Sequence, residues 1–164
     1  MSSKLVILGS LILAGTVVPL SDTANADNLN TSGVICQNFN ASQALDIDYL
    51  TNAVRNINAA ARPVICSVPR SPLPLNVIPR FYVDGHNNAN TCTNCTVTMY
   101  RFTGAIAGTQ FFAQCAPAAA ALNWRRLVSF PGLPGPDTFE YASVLCTLPG
   151  GGAGLLYGVT ALQP

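Results

Sequence analysis

Short apolar and β-branched runs, broken by Gly, Pro, Asn and Ser, recur along the chain from residue 33 to residue 162. They predict strands at residues 33–37, 45–51, 63–68, 77–84, 96–102, 109–114, 124–130, 139–147 and 155–162. Within the second, Leu45, Ile47 and Tyr49 alternate with Asp46 and Asp48, the period of a strand with one face in a core and the other in water. Pro72-Leu73-Pro74 and the Pro131–Pro136 run are expected as loops, because proline offers no N–H to a strand ladder. Gly150-Gly151-Gly152 predicts a turn before the last strand. Only residues 117–124, through Ala118-Ala119-Ala120-Ala121-Leu122, have helical character, and a helix that short holds a turn or two at most. Short strands in series with turn signals between them predict an all-β domain: an antiparallel β-sandwich of jelly-roll or Greek-key style.

The N-terminus departs from this pattern. Met1-Ser2-Ser3-Lys4, the apolar stretch from Leu5 to Leu20 and the small residues of Ala24-Asn25-Ala26 form the three parts of a secretory signal peptide. Cleavage is expected after Ala26, leaving residues 27–164 as one domain. The apolar stretch is interrupted by Gly9, Gly15 and Pro19 and is short for a bilayer-spanning helix. Thr16 stands where a lipoprotein signal needs a cysteine, so no membrane anchor is expected. The expected location is secreted or periplasmic.

Charge narrows the function classes. Lys4 and Asp22 leave together with the signal, so the net charge stays at +1, against a nucleic-acid partner. One histidine, one glutamate and six aspartates supply little acid–base chemistry, and no cofactor is expected.

Six cysteines in an exported chain predict disulfides, with fifteen pairings open. Cys36, Cys66 and Cys146 each end a short apolar run. Cys92-Thr93-Asn94-Cys95 has the spacing of a redox motif or half a zinc site. The run that follows it, Thr96 to Tyr100, reads as a strand rather than a helix, and no second such pair exists, so structural disulfides are expected.

The order Ile35-Cys36, Val64-Ile65-Cys66-Ser67-Val68-Pro69-Arg70 and Phe81-Tyr82-Val83-Asp84-Gly85 resembles a group of small secreted bacterial proteins with no assigned activity. Cys95-Thr96-Val97 and Val144-Leu145-Cys146-Thr147-Leu148-Pro149 continue it. The resemblance implies an all-β domain with a four-cysteine framework on Cys36, Cys66, Cys95 and Cys146. Cys92 and Cys115 stand outside that framework and so pair with each other. The expected bonds are then Cys36–Cys66, Cys95–Cys146 and Cys92–Cys115. No catalytic residue is carried over.

Four places could hold a site. Asp46 and Asp48 lie roughly 6.6 Å apart on one strand face, a spacing that glycoside hydrolysis could use, or they form a solvated edge. Asp84-Gly85-His86-Asn87-Asn88-Ala89-Asn90 is rich in oxygen ligands for calcium, although Asp-Gly after a strand more commonly marks a hairpin turn. His86 could serve a serine with Asp84 or Asp137, but no Gly-x-Ser-x-Gly elbow is present. Trp124-Arg125-Arg126 places an aromatic beside clustered cations, the pairing that anchors partners or anionic sugars. The expectation is a non-enzymatic structural or interaction module binding a protein or glycan, probed first at Trp124, Arg125 and Arg126. The contrasting readings are a small hydrolase using Asp46, Asp48 or His86, and a calcium-dependent adhesion module.

Overall fold

The computed structural model describes residues 29–68, 80–101, 103–131 and 141–162. The stretch expected as a signal, the expected loops at 72–74 and 132–136, and Asp137 lie outside the described residues. Among those described, the strands are β1 (Leu29–Ser32), β2 (Gln37–Asn38), β3 (Ile47–Tyr49), β4 (Val54–Asn56), β5 (Arg62–Val68) and β6 (Arg80–Asn87). They continue with β7 (Cys92–Tyr100), β8 (Ile106–Cys115), β9 (Leu122–Ser129), β10 (Tyr141–Leu148) and β11 (Gly154–Leu162). Six form one sheet in the order β3-β4-β11-β6-β9, with β1 also paired to β11; five form the other in the order β2-β5-β10-β7-β8. All pairs are antiparallel.

The pairing is nested. The β7–β8 hairpin lies innermost, and β6 pairs with β9, β5 with β10 and β4 with β11 around it. Successive pairs fall in opposite sheets, which is the winding of a jelly roll. Alternation then decides the core. Phe81, Val83, Trp124, Val128, Leu156 and Val159 from one sheet meet Val64, Val97, Met99, Phe112, Val144 and Leu148 from the other. Burying each such side chain contributes about 1.5–3 kcal/mol. Phe112 meets Trp124 edge-on at 6.3 Å, and Phe81 meets Phe130 at 6.4 Å.

Disulfides join Cys36 to Cys66, Cys95 to Cys146 and Cys92 to Cys115, and no thiol is left free. Two buried asparagines complete the interior. Asn56 Nδ2 donates to the carbonyls of Ala60, Leu148 and Pro149, and Asn87 Nδ2 donates to Gln114 at 2.7 Å while its Oδ1 accepts from Thr93 Oγ1 at 2.6 Å.

Several local expectations change. Gly33–Ile35 is a 3₁₀ turn rather than a strand, because Gly33 packs flat against the Leu156 carbonyl and Ala53, where a Cβ would collide. Residues Ala41–Asp46 form a second 3₁₀ helix, so Leu45 is 92% exposed and only Ile47 of the alternating trio is buried. Residues 117–121 contain a turn rather than a helix, and β9 starts at Leu122. Asp84-Gly85 lies inside β6, not at a hairpin. The chain turns instead near Asn90, which takes a left-handed φ of 58°, with Thr91 N–H donating back to Asn88 at 3.2 Å.

Candidate functional site

The outer face of the six-stranded sheet collects polar side chains from three strands. In β6, Phe81, Val83, Gly85 and Asn87 face inward, so Tyr82, Asp84 and His86 face outward. Register with β9 sets Leu127 opposite Tyr82, Arg125 opposite Asp84 and Asn123 opposite His86. Each rung makes or borders a contact. Arg125 Nε donates to Asp84 Oδ1 at 2.7 Å and Nη2 to Oδ2 at 3.4 Å, while the guanidinium carbon lies 5.2 Å from the centre of the Tyr82 ring. This combines a two-pronged carboxylate contact with a cation–π contact on one arginine. The hydrogen bond and charge of Asp84 raise the pKa of Arg125 further above its already high value, so the cation persists at every working pH. His86 Nδ1 lies 2.8 Å from Asn123 Oδ1, and Nε2 lies 3.2 Å from Asn88 Oδ1.

The third strand contributes through an irregularity. Register between β6 and β11 slips between Leu156 and Gly158, so Tyr157 occupies a β-bulge. Tyr157 keeps the outward parity set by buried Gly154 and Leu156, and the alternation breaks just after it, where Gly158 and Val159 are both buried. Leu156 and Val159 stay buried, and Tyr157 lies half-buried with its hydroxyl 3.5 Å from Asn123 Oδ1. Two open hollows result. One of about 400 Å³ is lined by Asp84, Gly85, Asn123, Trp124, Arg125 and Tyr157. The other, of about 300 Å³, adds Ser32 and Gly158 to Asp84, Arg125 and Tyr157. The Asp84–Arg125 pair and Tyr157 border both.

Trp124 belongs to the core. It is 6% exposed, its indole packs over Gly85 and against Phe112, and its Nε1 lacks a hydrogen-bond partner among the described residues. The expected Trp–Arg anchor is therefore replaced: the aromatic beside Arg125 is Tyr82, and Arg126 is exposed elsewhere on the edge strand. Tyr82, Asn123 and Tyr157 were not singled out from sequence. Tyr82 stands two residues before Asp84, a signal within reach. Asn123 depends on the β6–β9 register, and Tyr157 on which face of β11 turns outward.

Asp46 and Asp48 do not share a strand face. Asp46 ends the 3₁₀ helix, accepts from Arg62 Nε at 2.6 Å and from Asn58 Nδ2 at 3.0 Å, and has its pKa lowered, first by the Arg62 hydrogen bond and then by Asn58. Asp48 on β3 pairs with Arg55 of β4 at 2.7 Å. A general acid needs its carboxyl pKa raised, the opposite of what Asp46 shows. The oxygens of Asp84–Asn90 disperse as well: Asp84 takes Arg125, Asn87 is buried, and Asn88 and Asn90 lie in the turn. No group of three or more His, Cys, Asp or Glu among the described residues is placed to hold a metal. Cys92 and Cys95 each bond a different cysteine and so form no dithiol pair.

The outer face of the five-stranded sheet has a different character. A hollow of about 370 Å³ there is lined by Ile35, Gln37, Ile65, Ser67, Tyr141 and Ser143 among others, and Tyr100 stacks on Tyr141 at 5.0 Å.

No family model and no curated protein matches the chain. Among solved structures, the GH26-CBM35 β-(1,4)-mannanase of Podospora anserina is similar over 84% of this chain and 28% of its own, at 10% identity and a TM-score of 0.37. The isomalto-dextranase of Arthrobacter globiformis T6, complexed with panose, is similar over 66% of this chain and 18% of its own, at 14% identity and a TM-score of 0.36. The chain thus spans less than a third of either protein, and likenesses this distant assign no activity.

Proposed function

We propose that this domain is a secreted or periplasmic non-enzymatic interaction module, and that its ligand sits on the outer face of the six-stranded sheet across the Asp84–Arg125 pair. The observation that carries this reading is the state of the charged groups. All three carboxylates among the described residues, Asp46, Asp48 and Asp84, are ion-paired with arginine. His86 contacts amide oxygens rather than a carboxylate. Such groups are held for recognition rather than poised to move protons. Three closed disulfides fit an oxidising compartment, and the signal-like N-terminus supplies the route there.

Amide-shift mapping with a defined mixture of monosaccharides, amino acids, carboxylates and phosphates tests the site. Perturbations should concentrate on β6, β9 and the Tyr157 bulge. Perturbations confined to the hollow at Ile35 and Tyr141 would place binding on the other sheet and reject the assignment.

A further inference from the structure

Resting on that site assignment, we infer that the ligand is a neutral saccharide chain, held by hydroxyl contacts to Asp84, Arg125 and Asn123 and by ring contacts to Tyr157. Charge comes first. Asp84 and Arg125 cancel each other at the border of both hollows, so the site offers neither an anion nor a cation a net attraction. What the pair keeps is directional capacity. A carboxylate accepts at several lone pairs and a guanidinium donates five N–H groups, more than the two contacts between them consume.

Asn123 adds donors. Its contacts with His86 and Tyr157 both fall on Oδ1, so its Nδ2 hydrogens take no part in them. Donors and acceptors thus stand side by side, matching vicinal hydroxyls, each of which donates and accepts at once. The half-buried Tyr157 ring, which borders both hollows, supplies apolar surface for the C–H face of a sugar.

Preorganisation strengthens the match. Arg125 is fixed by Asp84 on one side and Tyr82 on the other, which lowers the entropy lost when a weakly interacting ligand binds. Two hollows on either side of one clamp suit consecutive units of a chain better than one compact molecule.

Affinity electrophoresis of the intact domain in gels containing dextran, galactomannan, arabinoxylan or mixed-linkage β-glucan tests the ligand class, with polygalacturonate as the anionic control. Retardation by at least one neutral polymer is expected, unchanged by added salt. It should weaken roughly 10- to 100-fold in D84A and in R125A, as loss of a charged hydrogen-bond partner predicts. Y157A should weaken it as well, while Y157F, which keeps the ring, should retain most of it. Melting curves of all four variants establish that each is folded. If only polygalacturonate retards the protein, with a salt-sensitive effect lost in R125A, the ligand class is wrong and the site stands. If a neutral polymer retards all variants equally, the site is wrong. Retardation by none of the polymers overturns the inference, and the amide-shift map then judges the site on its own.

Discussion

The two sheets enclose one core yet differ in the side-chain bonds that cross between their strands. Every disulfide involves the five-stranded sheet: Cys66 lies on β5, Cys95 and Cys146 on β7 and β10, and Cys92 and Cys115 on β7 and β8. The strands of the six-stranded sheet contain no cysteine. They carry ion pairs instead, Asp48–Arg55 between β3 and β4 and Asp84–Arg125 between β6 and β9. The outer faces differ in the same sense. The stapled sheet presents Ile65, Leu145, Phe111 and the Tyr100–Tyr141 stack with serines and threonines and no charge, whereas the other presents the paired charges and the hollows. A wall closed covalently does not depend on its outer side chains for cohesion. The opposite wall shares the same core, which leaves its outer polar groups available for recognition.

Removing the central staple would break this comparison most forcefully. Cys95 and Cys146 sit directly opposite each other in the β7–β10 register, are fully buried, and close a separation of 51 residues. Chain entropy assigns that bond about 4 kcal/mol, a large share of a small domain's stability. The C95A/C146A variant should show a urea midpoint lowered accordingly. Hydrogen exchange should show both sheets losing protection together, because Val97 and Val144 pack against Val83 and Trp124 in one cluster. Retained protection in β6 and β9 alone would mean that the walls are independently stable.

Gly85 tests the other wall where the Trp124 indole packs directly on its backbone. A Cβ there would run into the Trp124 indole and the Leu155 carbonyl, so G85A should cost about 1–3 kcal/mol through overpacking. The same alanine at Ser143, on the outer face of the stapled sheet, should stay within about 0.5 kcal/mol. Denaturant midpoints measure both, and Trp124 fluorescence should shift only for G85A.

Gly85 also shows what the sequence could and could not reveal. The strands at 63–68 and 155–162 were legible as nearly continuous apolar and β-branched runs bounded by turn signals, and the structure places β5 and β11 there. Asp84-Gly85 carried a turn signal that tertiary packing overrode, since the glycine is needed beneath an indole that arrives from β9. The site was legible only in fragments. Asp84, His86 and Arg125 each stood out, but Asp84 and Arg125 are 41 residues apart and meet only through the β6–β9 register. The β7–β8 hairpin intervenes in sequence, and no local period encodes that pairing. Tyr157 lay in an apolar run with no polar alternation to mark its outward face, and the Cys36 segment needed the close approach of Gly33 to β11.

Acid tests the Asp46–Arg62 pair, which ties the second 3₁₀ helix to β5. The carboxyl pKa of Asp46 is lowered by its hydrogen bonds, first from Arg62, so its contribution to stability is fully present above the ordinary carboxylate value of 3.8. It is lost as pH falls through the lower folded value. The urea midpoints of wild type and D46N should therefore differ at neutral pH and converge in strong acid. A constant gap across that range would mean that the Arg62 contact does not set the protonation of Asp46.

The smallest effect on stability is expected at the Asp84–Arg125 pair, and that smallness is the sharpest test of the comparison. The pair is exposed on its arginine side, and surface ion pairs add little to folding because solvent screens them and ordering two side chains offsets the gain. A double-mutant cycle through D84A, R125A and D84A/R125A should return a folding coupling near zero from melting curves. The same cycle read by retardation in the neutral polymer should be strongly non-additive, since either substitution alone already dismantles the clamp. A large folding coupling with additive binding effects would reverse the assignment: the pair would then fasten β6 to β9, and the polar wall would be held together by its outer face after all.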